Sequence, residues 1–198
     1  WVLSVYVTNI DSIAEAKPIT RAKMDDWVTG FKMNNYNGTV AMQVVTDEYG
    51  PIEDWNTSQV TDMSNMFENS DFEGPIDKWD TSSVTNMSNM FGTCRNFNNG
   101  GSTGINNWDT SSCTKMNSMF NSATGFNQPI GDWDTSNVTT MSSMLSSESL
   151  LMTFNQDIGN WDTSSVTNMH KMFGHNHGSH NFNNGGSPSI SGWDTSSV

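Results

Sequence analysis

Trp79-Asp80-Thr81-Ser82-Ser83-Val84-Thr85-Asn86-Met87-Ser88-Asn89-Met90-Phe91 is the stretch on which the reading of this 198-residue chain turns, because it recurs. Tryptophan stands at 55, 79, 108, 133, 161 and 193, each time followed by Asn or Asp and then Thr-Ser. The intervals between these tryptophans are 24, 29, 25, 28 and 32 residues. Within each block, however, the register never shifts. Val60, Met63, Met66 and Phe67 follow Trp55 at offsets 5, 8, 11 and 12, and the same offsets hold in the next four blocks. They yield Val84, Met87, Met90 and Phe91; Cys113, Met116, Met119 and Phe120; Val138, Met141, Met144 and Leu145; Val166, Met169, Met172 and Phe173. An isoleucine precedes each of these six tryptophans by three, from Ile52 to Ile190.

A rigid block thus alternates with a segment of variable length carrying one further aromatic, Phe72, Phe97, Phe126, Phe154 or Phe182. Two of these segments are near copies, Asn98-Asn99-Gly100-Gly101-Ser102 and Asn183-Asn184-Gly185-Gly186-Ser187, and read as loop insertions pointing away from a packed core. The i, i+3, i+6, i+7 spacing of Val60, Met63, Met66 and Phe67 predicts a short helix, with Ser58 or Thr61 as N-cap. Ile-x-x-Trp, too short for another helix, reads as a short strand that stacks on its equivalents. One such rung cannot bury enough apolar surface to fold alone, so the rungs must share interfaces. Leucine occurs only at 3, 145, 150 and 151, and fourteen methionines take its place as flexible filler beside aromatic rings.

Outward from the repeat, residues 1–17 read as an N-terminal extended segment that links to another domain. Residues 18–51 form an N-terminal cap, and residues 52–198 hold about five full repeats with a sixth cut short at Val198. Met24, Trp27, Val28 and Phe31 predict a helix over about 20–32, and residues 40–46 read as a strand or a degenerate first rung. The absent initiator Met and the half-finished last block point to a mature chain or fragment whose natural protein continues with more repeats or another domain.

These blocks, together with Phe154-Asn155-Gln156-Asp157-Ile158-Gly159-Asn160-Trp161 and the entry Tyr49-Gly50-Pro51-Ile52-Glu53-Asp54-Trp55, resemble the BspA-type leucine-rich-like surface repeats. The variant is the one widespread in mycoplasma surface lipoproteins. The resemblance spans roughly residues 18–198, with Leu145 for Phe and Cys113 for Val as mild departures. It implies an α/β repeat fold: a right-handed, leucine-rich-repeat-like solenoid of short strands and short helices behind a helical cap. It also implies display on a cell surface and a part in adhesion, and it carries over no catalytic residues.

Twenty-one acidic against eight basic residues leave a net charge of −13, which excludes a nucleic-acid partner. The longest apolar run, residues 1–7, falls far short of the roughly 20 needed to span a bilayer, so no membrane insertion is expected. No nucleophile elbow or phosphate-binding glycine loop occurs, and the chain reads as no enzyme.

The recurring polar residues are the candidate sites. Asp80, Asp109, Asp134, Asp162 and Asp194 would form a column able to hold Ca²⁺, or else each accepts backbone N–H bonds in its own turn. Thr81, Thr110, Thr135 and Thr163, with Thr57 and Thr195, form a hydroxyl column that faces a glycan or ice, or else caps turns. His175, His177 and His180, near His170, could hold a transition metal or lie in a solvated loop. Asn37, Asn56, Asn86 and Asn137 head glycosylation sequons in a secreting eukaryote. Cys94 and Cys113, in adjacent rungs, are either buried thiols or a disulfide. The function that follows is an extracellular or cell-surface repeat protein mediating adhesion or protein or glycan recognition. The alternatives are self-assembly of rungs end to end into a filament, and Ca²⁺ or ice binding; no other cofactor is implied.

Overall fold

The structure, a computed structural model, describes residues 17–33, 36–147, 151–174, 182–187 and 190–198, with the side chains of 36–40 outside the description. The expected extended segment over residues 1–16 lies outside it.

Helix α1, Arg21–Met33, forms where the 3.6-residue spacing predicts it, and buries Met24, Trp27 and Val28. Thr20 starts it, its hydroxyl accepting the Lys23 N–H at 3.3 Å. Helix α2, Tyr36–Tyr49, replaces the strand or degenerate rung expected at 40–46. The β-branched Val40, Val44 and Val45 look strand-like, but packing against α1, which buries Val45, decides the conformation. Gly50, at φ +80°, ends α2 in the left-handed region with its N–H bonded to Thr46 O at 2.8 Å. Trp27 meets the first rung edge-on, 5.7 Å from Trp55 and 6.4 Å from Phe72.

Beyond Gly50 the sequence expectation fails in an instructive way. No strand or sheet occurs among the described residues, both α-helices precede the first rung, the repeat region holds only one-turn 3-10 segments such as Gly104–Asn107, and strand-like pairing between neighbouring rungs is limited to isolated parallel bridges. The chain is not an α/β solenoid. Ile-x-x-Trp is a turn, closed by Trp79 N–H to Ile76 O at 3.2 Å and by Trp108 N–H to Ile105 O at 3.1 Å. The segment expected to be a helix is a run of turns. Its alternate amides close turns of three residues, as Met90 N to Met87 O, Gly92 N to Asn89 O and Cys94 N to Phe91 O. The intervening amides reach the next rung, Met87 N to Lys115 O, Asn89 N to Asn117 O, Phe91 N to Met119 O and Thr93 N to Asn121 O, at 2.7–2.9 Å.

The physical reason lies in handedness. Asn65, Asn89, Ser118, Ser143 and Lys171 occupy the same place in five rungs, and all have φ between +54° and +58°. Asn69, Thr93 and Ser122 repeat this four residues later. A helix admits no such residue, and it would spend every amide internally, leaving none for the next rung. The turn ribbon keeps the apolar spacing inward and satisfies both neighbours.

Stacking then fills the interior. Phe67, Phe91 and Phe120 stand 5.5 Å apart in one column, and Phe97, Phe126 and Phe154 at 6.0 and 5.7 Å in a second. The columns touch at ring-centroid distances of 3.7–4.1 Å in the first three rungs and 4.6 Å at Phe173–Phe182. From Trp79 onward each repeat indole N–H donates to the preceding rung, as Trp79 to Ile52 O and Trp133 to Ile105 O, both at 2.8 Å, while Trp55 donates to Gly50 O at 3.0 Å. Met63, Met87, Met116 and Met141 lie fully buried beside them.

Candidate recognition surface

The polar columns divide into an inner and an outer set. In each Trp-Asp-Thr-Ser turn the Asp Oδ1 accepts from the serine two residues on, as Ser111 N at 3.0 Å and Ser111 Oγ at 2.6 Å to Asp109. Asp80, Asp134, Asp162 and Asp194 accept the same amide, from Ser82, Ser136, Ser164 and Ser196. In the first rung Asn56 does so with Ser58. All five aspartates are solvent-exposed. Among the described residues no three His, Cys, Asp or Glu side chains converge on a metal-sized point.

Five threonines of the column, Thr57, Thr81, Thr110, Thr135 and Thr163, are buried, and Thr195 is exposed. Thr81, Thr110, Thr135 and Thr163 are 1–2 % exposed. Their hydroxyls donate across rungs to Asp109 O, Asp134 O, Asp162 O and Asp194 O, each at 2.9 Å. Thr57 does the same to Asp80 O. This corrects the expected outward hydroxyl array: a polar atom that sits inside must find a partner there, and the neighbouring carbonyl supplies one. The outward threonine file is a different one, exposed Thr85, Thr139 and Thr167 with half-buried Thr114, whose hydroxyls donate to the threonine carbonyl of the preceding rung at 3.1–3.2 Å.

His175, His177 and His180 lie outside the described residues, as does the side chain of Asn37. Two other sequon amides are engaged between rungs: Asn86 Nδ2 donates to Asp62 Oδ2 at 3.2 Å and Asn137 Nδ2 to Ser111 O at 2.8 Å. Both cysteines are buried free thiols. Cys94 Sγ donates to Phe72 O at 3.1 Å, and burial pushes Cys113, in a valine column, up to about 11.

Hydrogen bonding from Ser111 holds the Asp109 carboxyl below the usual carboxylate range, and Ser164 and Ser196 do the same for Asp162 and Asp194. A depressed native pKa adds stability that is complete above the unfolded value, about 3.9, and lost as pH falls through the native one. The urea midpoint is therefore expected to stay level down to about pH 4 and to fall below it. The fall should be shallower in Asp109→Asn, because an amide oxygen keeps the turn, as Asn56 does, without titrating. A midpoint that rose on acidification would contradict the assignment.

One outer column behaves unlike the rest. The parallel bridges link Asp62, Asn86, Lys115, Thr140 and Asn168 in register, so one backbone position carries an acid, an amide, a base, a hydroxyl and an amide. Beside it run Ser64, Ser88, Asn117, Ser142 and His170. The reading from sequence singled out the residues that repeat and passed over these, although their variation between fixed neighbours was visible. A hollow of about 540 Å³ lies elsewhere, between the helical hairpin and the first rung, lined by Phe31, Lys32, Met42, Asn69, Ser70 and Asp71.

Turn-built rungs behind a helical hairpin, with an invariant interior and a varied polar exterior, define a repeat protein. The chain belongs to the family described as "Mycoplasma protein of unknown function, DUF285", whose model matches residues 33–150 and 151–198. No curated protein and no solved structure gives a significant match. No helix among the described residues is long and apolar enough to cross a membrane.

Proposed function

We propose that the chain is a non-catalytic recognition module of an extracellular or cell-surface protein of the BspA-type repeat class, engaging a protein or glycan through the solvent side of its rungs. The observation that carries this reading is the varied column Asp62, Asn86, Lys115, Thr140 and Asn168. A framework needs only its repeating turn and its stacked rings. A distinct pattern of charge and hydrogen-bonding groups at one repeated position is what a surface needs to discriminate a partner. Ice binding through Thr81, Thr110, Thr135 and Thr163 loses its support, since those hydroxyls face inward.

The test is a glycan and matrix-protein array, with and without Ca²⁺, followed by titration of any hit. A saturable hit weakened about tenfold or more by Lys115→Glu and unchanged by Asp109→Asn is the expected result. Binding unaffected when Asp62, Lys115 and Asn168 are all replaced by alanine would overturn the assignment to this column.

A further inference from the structure

The charges of this chain are sorted by side. In rungs two to five the turn ribbon that carries the varied column covers residues 85–92, 114–121, 139–146 and 167–174. These four stretches hold no Asp or Glu, in a chain that has twenty-one. They do hold Lys115 and Lys171, and Arg95 follows the ribbon of rung two. Asp80, Asp109, Asp134, Asp162 and Asp194 belong instead to the Trp-Asp-Thr-Ser turns.

Nor are these bases neutralised by neighbours. The ion pairs among the described residues draw on Lys17, Arg21, Lys23 and Lys78. Arg95, Lys115 and Lys171 are exposed and take no carboxylate partner among the described residues. Arg95 even shares its offset with Asp71, one rung earlier, without pairing to it. Salt limits the reach of a charge to about 10 Å at 0.1 M, so the nearest groups decide what the ribbon attracts. An incoming anion has no internal ion pair to break there.

The neutral groups between the bases are held in place. Ser88 Oγ donates to Asn117 Oδ1 at 2.8 Å, Asn89 Nδ2 to Asn65 Oδ1 at 3.0 Å and Asn121 Nδ2 to Ser146 Oγ at 2.6 Å, each across a rung boundary. They meet a ligand already ordered. The exposed large apolar side chains among the described residues, Met33, Val44, Leu151 and Val198, all lie off the ribbon, so a protein partner finds no apolar anchor on it. Nucleic acid, with a charge every ~1.7 Å, is repelled by the −13 of the whole chain. A polymer of sugars brings hydroxyls for the amides and serines, and spaced acid groups for the bases.

We propose that the ribbon of rungs two to five binds a linear acidic polysaccharide, its carboxylate or sulfate groups on Lys115, Lys171 and Arg95 and its hydroxyls on the amides and serines between them. This rests on the reading of the varied column as a recognition surface and adds the class of ligand.

Titrations with polygalacturonate, dextran sulfate, uncharged dextran and duplex DNA, at about 0.05 and 0.3 M salt, test it. The two acidic polymers tell a carboxylate from a sulfate as the recognised group. The expected result is saturable binding to at least one of them, none to dextran or DNA, and a loss of about tenfold or more at the higher salt. Lys115→Gln and Lys171→Gln, both exposed, should each weaken binding severalfold and together by about tenfold or more, while Asp109→Asn leaves it unchanged. Absence of binding to both acidic polymers, equal binding to dextran or DNA, or lysine variants that match the parent would each overturn the inference. Lys171 lies outside the varied column, so its variant reports on this inference alone. A protein or neutral glycan released on replacing Asp62, Lys115 and Asn168, with no acidic polysaccharide bound, would keep the reading of the column and sink this one.

Discussion

Phe120→Ala is expected to cost about 3–5 kcal/mol, a large part of the roughly 5–15 kcal/mol that holds a domain of this kind together. The ring is fully buried in the middle rung, 3.8 Å from Phe126, 5.5 Å from Phe91 and 6.3 Å from Trp133. Truncation removes a ring from one column together with its contact to the second, and leaves a hole between rungs that are held in place by backbone bonds on both sides, Phe120 N to Met144 O and Phe91 N to Met119 O. The site therefore has little freedom to collapse, which is the condition for the upper end of that range. Leucine should be far milder, about 1–1.5 kcal/mol, because the next rung already carries Leu145 at this position. Phe173→Ala should also cost less, since that ring is only partly buried. Urea denaturation measures all three. A Phe120→Ala loss below about 1 kcal/mol would mean that the rungs stack loosely and that the ring columns are not what joins them.

The interior of this molecule was written in its periodicity. Trp79, Val84, Met87, Met90 and Phe91 recur at fixed offsets because each must meet its own kind one rung away, and all of them are buried. What the period does not encode is the route of the backbone between those side chains. Residues three or four apart on a helix and on a run of turns are both brought to one side, so the spacing of Val60, Met63, Met66 and Phe67 could not separate them. The distinguishing mark is the left-handed residue between the two methionines, and its identities are Asn, Asn, Ser, Ser and Lys, with no glycine among them to advertise it. Even Thr93, β-branched, is held at φ +56° by Asn121 O on its amide and Asn69 Oδ1 on its hydroxyl. The polar columns hid their direction in the same way. Thr81 and Thr85 lie in one block and each donates to a carbonyl of a neighbouring rung, yet one is buried and the other exposed.

The glycine-containing insertions contain the other residue whose weight only the structure reveals. Asn99, expected in a loop directed away from the core, is fully buried. Its Oδ1 accepts the Ile76 N–H at 2.8 Å and its Nδ2 donates to Ser102 O at 2.8 Å, so one amide fastens the insertion to the preceding rung. Asn184 repeats the arrangement on Ile158 N–H at 2.9 Å. Asn99 also sits at φ +51°, where asparagine is tolerated and alanine is strained. Asn99→Ala thus removes two bonds, leaves the buried Ile76 amide without its acceptor and imposes a left-handed alanine. Together these should lower stability by about 2–4 kcal/mol. Asn99→Gly loses the same bonds without the backbone strain and should recover about 1 kcal/mol of that. The gap between the two variants in urea denaturation isolates the conformational part, and the residual loss in the glycine variant isolates the two hydrogen bonds. If both variants matched the parent within about 0.5 kcal/mol, the insertion would be an ornament on the stack. If the glycine variant alone matched it, the backbone conformation would matter and the bond to Ile76 would not.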